Sequence, residues 1–259
     1  MGVLNRTTDS FFAPAATFDL DELLTRAAAL VVDGADILDI GGVRAGPGPE
    51  IDEDEELDRV VPVVETLCDR FDVPVSIDTW RASVAGACFR AGAVLGNDIS
   101  GFADPDYLDI AAAAGASVVA THIRLRPRVA DPEPVYDDVV ATVAAFLADR
   151  AERAEAAGIP ASRVIVDAGL DLGKTAEQSL ELLRGSDVLA SRAGHALLLS
   201  ASNKRFLGTL LDLEIEERND ASLAAAALGV TLGCRVLRVH DVRGTVRVRD
   251  VLASVLEAA

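Results

Sequence analysis

VIVDAGLDLGKTAEQ, residues 164–178, decides between two folds. A β-branched run leads into Asp167, Gly173 stands five positions after Ala168, and Lys174-Thr175 open a helix-forming stretch. That is the strand, loop and helix of G-x-x-x-x-G-K-[ST], with Ala168 where the first glycine belongs. A true phosphate loop follows an early strand and needs a carboxylate strand nearby for magnesium. The place of this stretch among its neighbours therefore separates a nucleotide-binding sheet from another α/β architecture.

Working outward, short apolar runs recur along the chain. The candidate strands are Gly2–Asn5, Asp36–Ile40, Val73–Asp78, Val94–Asp98, Ser117–His122, Arg163–Asp167, Ala196–Ser200 and Arg235–His240. Their β-branched and leucine content suits parallel strands buried on both faces. Between them lie helical patterns at Asp19–Asp33, Asp52–Arg70, Arg81–Ala91, Pro105–Ala114, Asp137–Ala157, Ala176–Arg184, Ser222–Leu232 and Thr245–Glu257. Several of these end at a glycine, as at Gly34, Gly92, Gly115, Gly158 and Gly233, which is a helix stop signal. The Gly-Lys-Thr loop thus follows the sixth of eight βα units, and the phosphate-loop reading gives way to a loop on the catalytic face of a barrel.

Eight units in 259 residues predict an α/β fold, a single-domain TIM (β/α)8 barrel spanning residues 1–259, with a doubly wound sheet as the alternative. No linker or shift of composition divides the chain. Half of the residues are hydrophobic and a quarter charged, enough to bury a large core. With 42 acidic against 24 basic residues the net charge is −18, so no nucleic acid and no membrane partner is expected. The opening has no signal-peptide layout and no run reaches the roughly 20 apolar residues of a membrane span, which predicts a cytoplasmic protein. Cys68, Cys88 and Cys234 are odd in number and widely spaced, read as buried thiols in helical-looking segments. Lys174 and Lys204 are the only lysines.

In a barrel, chemistry collects where strands end. The predicted strand ends give Asn5, Gly41-Gly42, Asp78, Asn97-Asp98, His122, Asp167, Ser202–Lys204, and Arg238 with His240. Polar groups after strands often cap the next helix. Asp78, Asn97 and Asp167, however, sit on or against strongly apolar strands, and capping alone does not predict so many converging on one mouth. His195 is expected at the opposite end, before the seventh strand.

These stretches, in this order, resemble the dihydropteroate synthase family, the pterin-binding TIM barrels. The likeness is carried by MGVLNRTTDSFF (1–12), DGADILDIGG (33–42), VPVSIDTWRASVA (73–85), AGAVLGNDISG (91–101), VYDDVVATVAAFL (135–147), VIVDAGLDLGKTAEQSLELLR (164–184), SASNKRFLG (200–208) and LRVHDVR (237–243). It implies a transferase of folate biosynthesis that couples 6-hydroxymethyl-dihydropterin pyrophosphate to p-aminobenzoate and releases pyrophosphate. It implies further that Asp78, Asn97, Asp167 and Lys204 bind the pterin. Asn5, Arg238 and His240 would serve the pyrophosphate, with Asn5 on the Mg2+ side; Lys204, Arg238 and His240 are the catalytic candidates. A homodimer through the last helices, around Ala221–Leu232, is likewise implied.

The chain departs from the family pattern on the p-aminobenzoate side. Ala45 and Gly46 stand where the pattern has threonine and arginine, Ala13 where it has a loop aspartate, and Asn203 where it has arginine. Losing one arginine that stabilises a leaving anion costs a few kcal/mol, a factor of about 10² in rate. Three functions follow: a synthase of weakened activity, a non-catalytic pterin-binding paralogue, or a pterin-dependent barrel enzyme with a different acceptor.

Overall fold

The computed structural model describes residues 1–5, 20–44, 46, 48 and 51–257. The expectations placed on Ala13 and Ala45 fall outside the described residues. Eight parallel strands form one sheet in sequence order. They are β1 Gly2–Asn5, β2 Leu38–Gly41, β3 Val75–Asp78, β4 Leu95–Asp98, β5 Ser117–Thr121, β6 Val164–Asp167, β7 Ala196–Leu199 and β8 Cys234–Leu237. The sheet is curled along its eight strands. Gly2 and Val239 form a parallel bridge, with Val3 N donating to Val239 O at 3.1 Å and Val239 N to Met1 O at 3.0 Å.

Ten α-helices are formed among the described residues: α1 Leu20–Val32, α2 Glu53–Arg70, α3 Ala82–Arg90, α4 Tyr107–Ala113, α5 Val139–Ala156, α6 Ala176–Arg184, α7 Ser186–Ala193, α8 Arg205–Leu211, α9 Asn219–Thr231 and α10 Val242–Glu257. Local sequence sets their ends. Asp52 accepts from Glu55 N and starts α2, Asp138 does the same for α5 through Ala141 N, and Thr175 with Gln178 forms a capping box at α6. Thr175, the last residue of the Gly-Lys-Thr stretch, is therefore a helix cap. Helices α7 and α8 were not among the sequence expectations, and Cys234 opens β8 rather than lying in a helix.

Alternation along the strands builds the site. Side chains two apart share a face, so Met1, Ile37, Leu95, Val119, Ile165, Leu198 and Val236 fill the inside of the curl as one apolar cluster. The larger core packs the outer face of the sheet against the helices. Two residues further toward the strand ends, on the same inner face, the side chains become polar: Asp39 follows Ile37, Asn97 follows Leu95, Asp167 follows Ile165 and Arg238 follows Val236. The apolar layer is a floor, and the polar layer stands on it at the C-terminal ends of the strands.

Candidate functional site

Register brings the first residues together. Asn5 pairs with Gly41, Gly41 with Asp78, and Asp78 with Asn97, so four strand ends form one rung. Glycine at 41 leaves the rung open: a Cβ there would lie 3.6 Å from Asp78 Oδ2 and 3.7 Å from Asn5 Oδ1. Neither Asp78 nor Asn97 caps a helix. α3 starts at Ala82, and its N-cap Arg81 makes no side-chain cap; Asp98 is the residue that receives backbone amides, from Ser100 at 2.6 Å and Phe102 at 2.8 Å.

Arg238 is the centre of the cluster. Its Nε donates to Asp39 Oδ2 at 2.6 Å and its Nη2 to Asp78 Oδ2 at 2.7 Å. Asn97, 4% exposed, donates from Nδ2 to the same Asp39 oxygen at 3.3 Å. Arg238, expected to serve the pyrophosphate, lies between two carboxylates just past the end of β8. Those contacts raise its pKa further, against the cost of burial. Burial pushes Asp78 up to about 7; Arg238 pulls it back, while Asp39, Glu56 and Asp98 add to the rise. An ion-paired carboxylate with a raised pKa is consistent because one guanidinium is shared by two acids.

Asp39 was absent from the sequence expectations and is fully buried. Its signal was available: a carboxylate inside the apolar run LDI of a buried strand must find a partner. Its Oδ1 has no hydrogen-bond partner in the described structure. A second network went unread as well: Glu56, fully buried at the start of α2, accepts from Thr79 Oγ1 at 2.7 Å and pairs with Arg81. It fixes the loop after β3 beneath Asp78.

On the other side of the mouth, Asp167 is 6% exposed and its Oδ1 accepts from Gly169 N at 2.8 Å. That turn requires glycine. Gly169 has φ +66°, and a Cβ there would lie 1.9 Å from His122 O. Burial raises the Asp167 pKa, opposed first by the amide of Gly169 and then by Lys204 and Arg238. Lys204, half-buried at the start of α8, donates to Leu170 O at 3.0 Å. Burial lowers its pKa against the pull of Asp167 and Asp171.

His240 Nδ1 lies 3.0 Å from Ser202 Oγ. Burial, then Arg238, Arg26 and Lys204, draw its pKa down to about 4, which favours the uncharged imidazole. Asn203, where the pattern has arginine, sits at φ +59° and donates its N–H to Ser222 Oγ at 3.0 Å. Asparagine tolerates the left-handed region better than arginine. Gly46 has open space around it: a Cβ there would meet no atom within 4 Å, and its carbonyl accepts from Arg128 Nη1 at 2.6 Å. His195, as expected, lies before β7 at the far end, 3.0 Å from Glu155.

A cleft of about 210 Å³ adjoins the Asp167 side, with Gly46, Leu125, Asp171, Leu172 and Arg205 in its walls. A cavity of about 320 Å³ against Met1, Ile37 and Val236 opens at the opposite ends of the strands, away from the polar cluster. Among the described residues no three His, Cys, Asp or Glu side chains gather as metal ligands. The Asn5 amide oxygen remains as a hard donor at the mouth. One protein oxygen suits a Mg2+ ion that keeps waters and takes its other ligands from phosphate.

The family model described as "Pterin binding enzyme" matches residues 1–240. A protein of Mycobacterium leprae (strain TN) named "Inactive dihydropteroate synthase 2" is 43% identical, over 98% of this chain and 89% of its own. The "Dihydropteroate synthase" of Bacillus subtilis (strain 168) is 37% identical, over 99% of this chain and 88% of its own. The crystal structure of the Yersinia pestis dihydropteroate synthase with a sulfonamide drug superimposes with a TM-score of 0.93 at 37% identity, covering 100% of this chain and 93% of that one. The relatives thus include both a protein named as the synthase and one named as inactive.

Proposed function

The chain belongs to the pterin-binding enzyme family, and from that premise we propose that it is a dihydropteroate synthase-like transferase of reduced coupling power. It takes 6-hydroxymethyl-dihydropterin pyrophosphate as one substrate and p-aminobenzoate as the other. The observation that carries this reading is the acid and amide set at the strand ends, with Asn97 and Asp167 buried and Asp78 half-buried. Asp78, Asn97 and Asp167 stand on an apolar floor, with Lys204 beside Leu170 and Asp171. A flat heterocycle with a guanidine-like edge needs such a set: carboxylates to accept from its N–H groups, an amide to donate and accept, and low polarity beneath the ring.

In the reaction, the arylamine nitrogen forms a bond to the pterin methylene carbon while the carbon–oxygen bond to pyrophosphate breaks. The electron pair leaves with the pyrophosphate oxygen, and the amine proton passes to solvent. Asp167 holds the guanidine-like edge and Asn97 orients the ring. Arg238, anchored by Asp39 and Asp78, puts a fixed positive charge at the mouth where anionic charge develops. His240, neutral at pH 7, donates a hydrogen bond from Nε2 rather than charge. Asn5 would hold Mg2+ together with substrate oxygens, and the ion would neutralise charge on the pyrophosphate. The 210 Å³ cleft beside Gly46 and Arg205 is the slot we assign to p-aminobenzoate, with Arg205 facing its carboxylate.

A second reading, a pterin-holding paralogue without coupling, is favoured by Gly46. The anion-side arginine of the family pattern is replaced by a residue with no side chain, and a similar relative carries the name "inactive". In either reading we take residues 1–259 as one closed TIM barrel in the cytoplasm, the bridge between Gly2 and Val239 supporting closure. No helix among the described residues is long and apolar enough to cross a membrane. We also propose a homodimer through α9 and α10, where Leu228, Val251 and Val255 are exposed.

The test is calorimetric titration with a stable pterin pyrophosphate analogue, with and without Mg2+, followed by a pyrophosphate-release assay with p-aminobenzoate. Binding that tightens with Mg2+, followed by release, supports the synthase. Binding without release supports the paralogue, and no binding refutes both.

A further inference from the structure

Lys174 looks like a phosphate-loop lysine by sequence, yet it is 3% exposed and its Nζ is enclosed by the protein. The carbonyls of Gly169 and Leu172 lie at 2.9 Å, the carbonyl of His122 at 3.2 Å and His122 Nδ1 at 2.9 Å. An ammonium has three hydrogens, so these four acceptors leave none for a ligand. His122 is neutral, burial and Lys174 drawing its pKa down to about 3. Its Nδ1 accepts, so the proton sits on Nε2. Burial lowers the pKa of Lys174 to about 7 as well, with Asp167, Asp171, Asp131 and Lys204 the other charges acting on it.

The carbonyls that Lys174 holds bracket the ones that matter for the pocket. Between Gly169 and Leu172 lies Leu170, whose carbonyl receives Lys204 Nζ at 3.0 Å. Next comes Asp171, whose carboxylate receives Arg205 N at 2.5 Å and Phe206 N at 3.3 Å at the start of α8. Gly169 itself donates to Asp167. One four-residue segment is therefore clamped by one lysine and in turn places the other.

We propose that Lys174 is the positioning residue of the pocket: by gripping the carbonyls of Gly169 and Leu172 it sets the Leu170 carbonyl, and through it the ammonium of Lys204. The inference rests on the reading of Lys204 as a pterin-binding group. The Gly-Lys-Thr motif then has a role quite unlike nucleotide binding, the internal fixing of the loop that follows β6.

The chain has two lysines, so protein labelled with [ε-13C]lysine gives two side-chain signals, and Lys204→Arg assigns them. In Lys174→Met the remaining Lys204 signal should shift, and its titration midpoint should move by about half a pH unit or more as its carbonyl partner is released. Affinity for the pterin pyrophosphate analogue should fall about tenfold. In Lys174→Gln, whose shorter side chain has two N–H donors and cannot hold all three carbonyls, the Lys204 signal should move in the same direction; this variant decides the matter if Lys174→Met fails to fold. A Lys204 signal unchanged in either folded variant overturns the proposal, whatever happens to affinity. A moved Lys204 signal with unchanged affinity leaves the positioning intact and instead overturns the assignment of Lys204 to the pterin site.

Discussion

Replacing Arg238 with Met should cost about 3–5 kcal/mol of folding stability at alkaline pH. The figure comes from what the guanidinium holds. Its bonds of 2.6 and 2.7 Å to Asp39 and Asp78 are charge-assisted, each contributing about 1.5–3 kcal/mol. Without it, Asp39 is fully buried with one oxygen lacking a partner and the other supported by Asn97 alone at 3.3 Å. Asp78, already pushed up to about 7 with Arg238 in place, should titrate higher still. The sign follows: a carboxyl whose folded pKa is raised destabilises the fold above that pKa, and the penalty lifts as pH falls through it. The variant takes up its proton at higher pH than the wild type, so its deficit should be largest near pH 9 and smaller at pH 6. Urea denaturation of both proteins at the two pH values measures this. Adding Asp39→Asn to the variant should recover about half of the loss. A deficit below about 1 kcal/mol at pH 9, or one that grows on acidification, would refute the account of Arg238 as the shared partner of two buried acids.

Asp167→Asn and Lys204→Ala should each weaken binding of the pterin analogue about a hundredfold; titration giving affinities within twofold of wild type would remove both residues from the pocket. Thr at Ala45 with Arg at Gly46 should raise pyrophosphate release about tenfold or more, because the space around Gly46 admits a side chain; an unchanged rate in a folded variant favours the non-coupling reading. Lys174, held at about 7 in the fold but near 10.4 when unfolded, binds its proton less readily when folded. The stability difference between wild type and Lys174→Met should therefore rise with pH between 7 and 10, by up to about 1.4 kcal/mol per unit, and a flat difference in denaturation midpoints would contradict the burial of a titrating amine.

The strands were legible because a strand buried on both faces is a continuous apolar run, and all eight lie within a few residues of their sequence positions. The two extra helices were hidden for local reasons. SDVLASRA follows Gly185 directly after α6 and reads as a polar loop, while RFLGTLL has seven residues and a glycine inside. At the site, Asp78, Asn97, Asp167 and Lys204 stood out as polar groups at the ends of apolar runs. What stayed hidden was pairing across distance: Asp39 and Arg238 are 199 positions apart, and no periodicity links them. The charge of His240 was unreadable for a similar reason, since it depends on burial and on the neighbouring Arg238 and Lys204. Lys174 was placed correctly on a loop of the mouth, but its direction, inward onto carbonyls, belongs to tertiary structure alone.

With Lys174 at 3% exposure and Lys204 half-buried over the mouth, neither lysine of this sequence stands out on the outer surface. Acylating dyes and amine-directed cross-linkers, which decorate most proteins at random, would find almost nothing to react with here. The lowered pKa of Lys204 leaves more of it as free amine near neutrality. A mild succinimidyl ester therefore becomes a selective label for one pocket, and protection of that label by a candidate ligand would report occupancy directly.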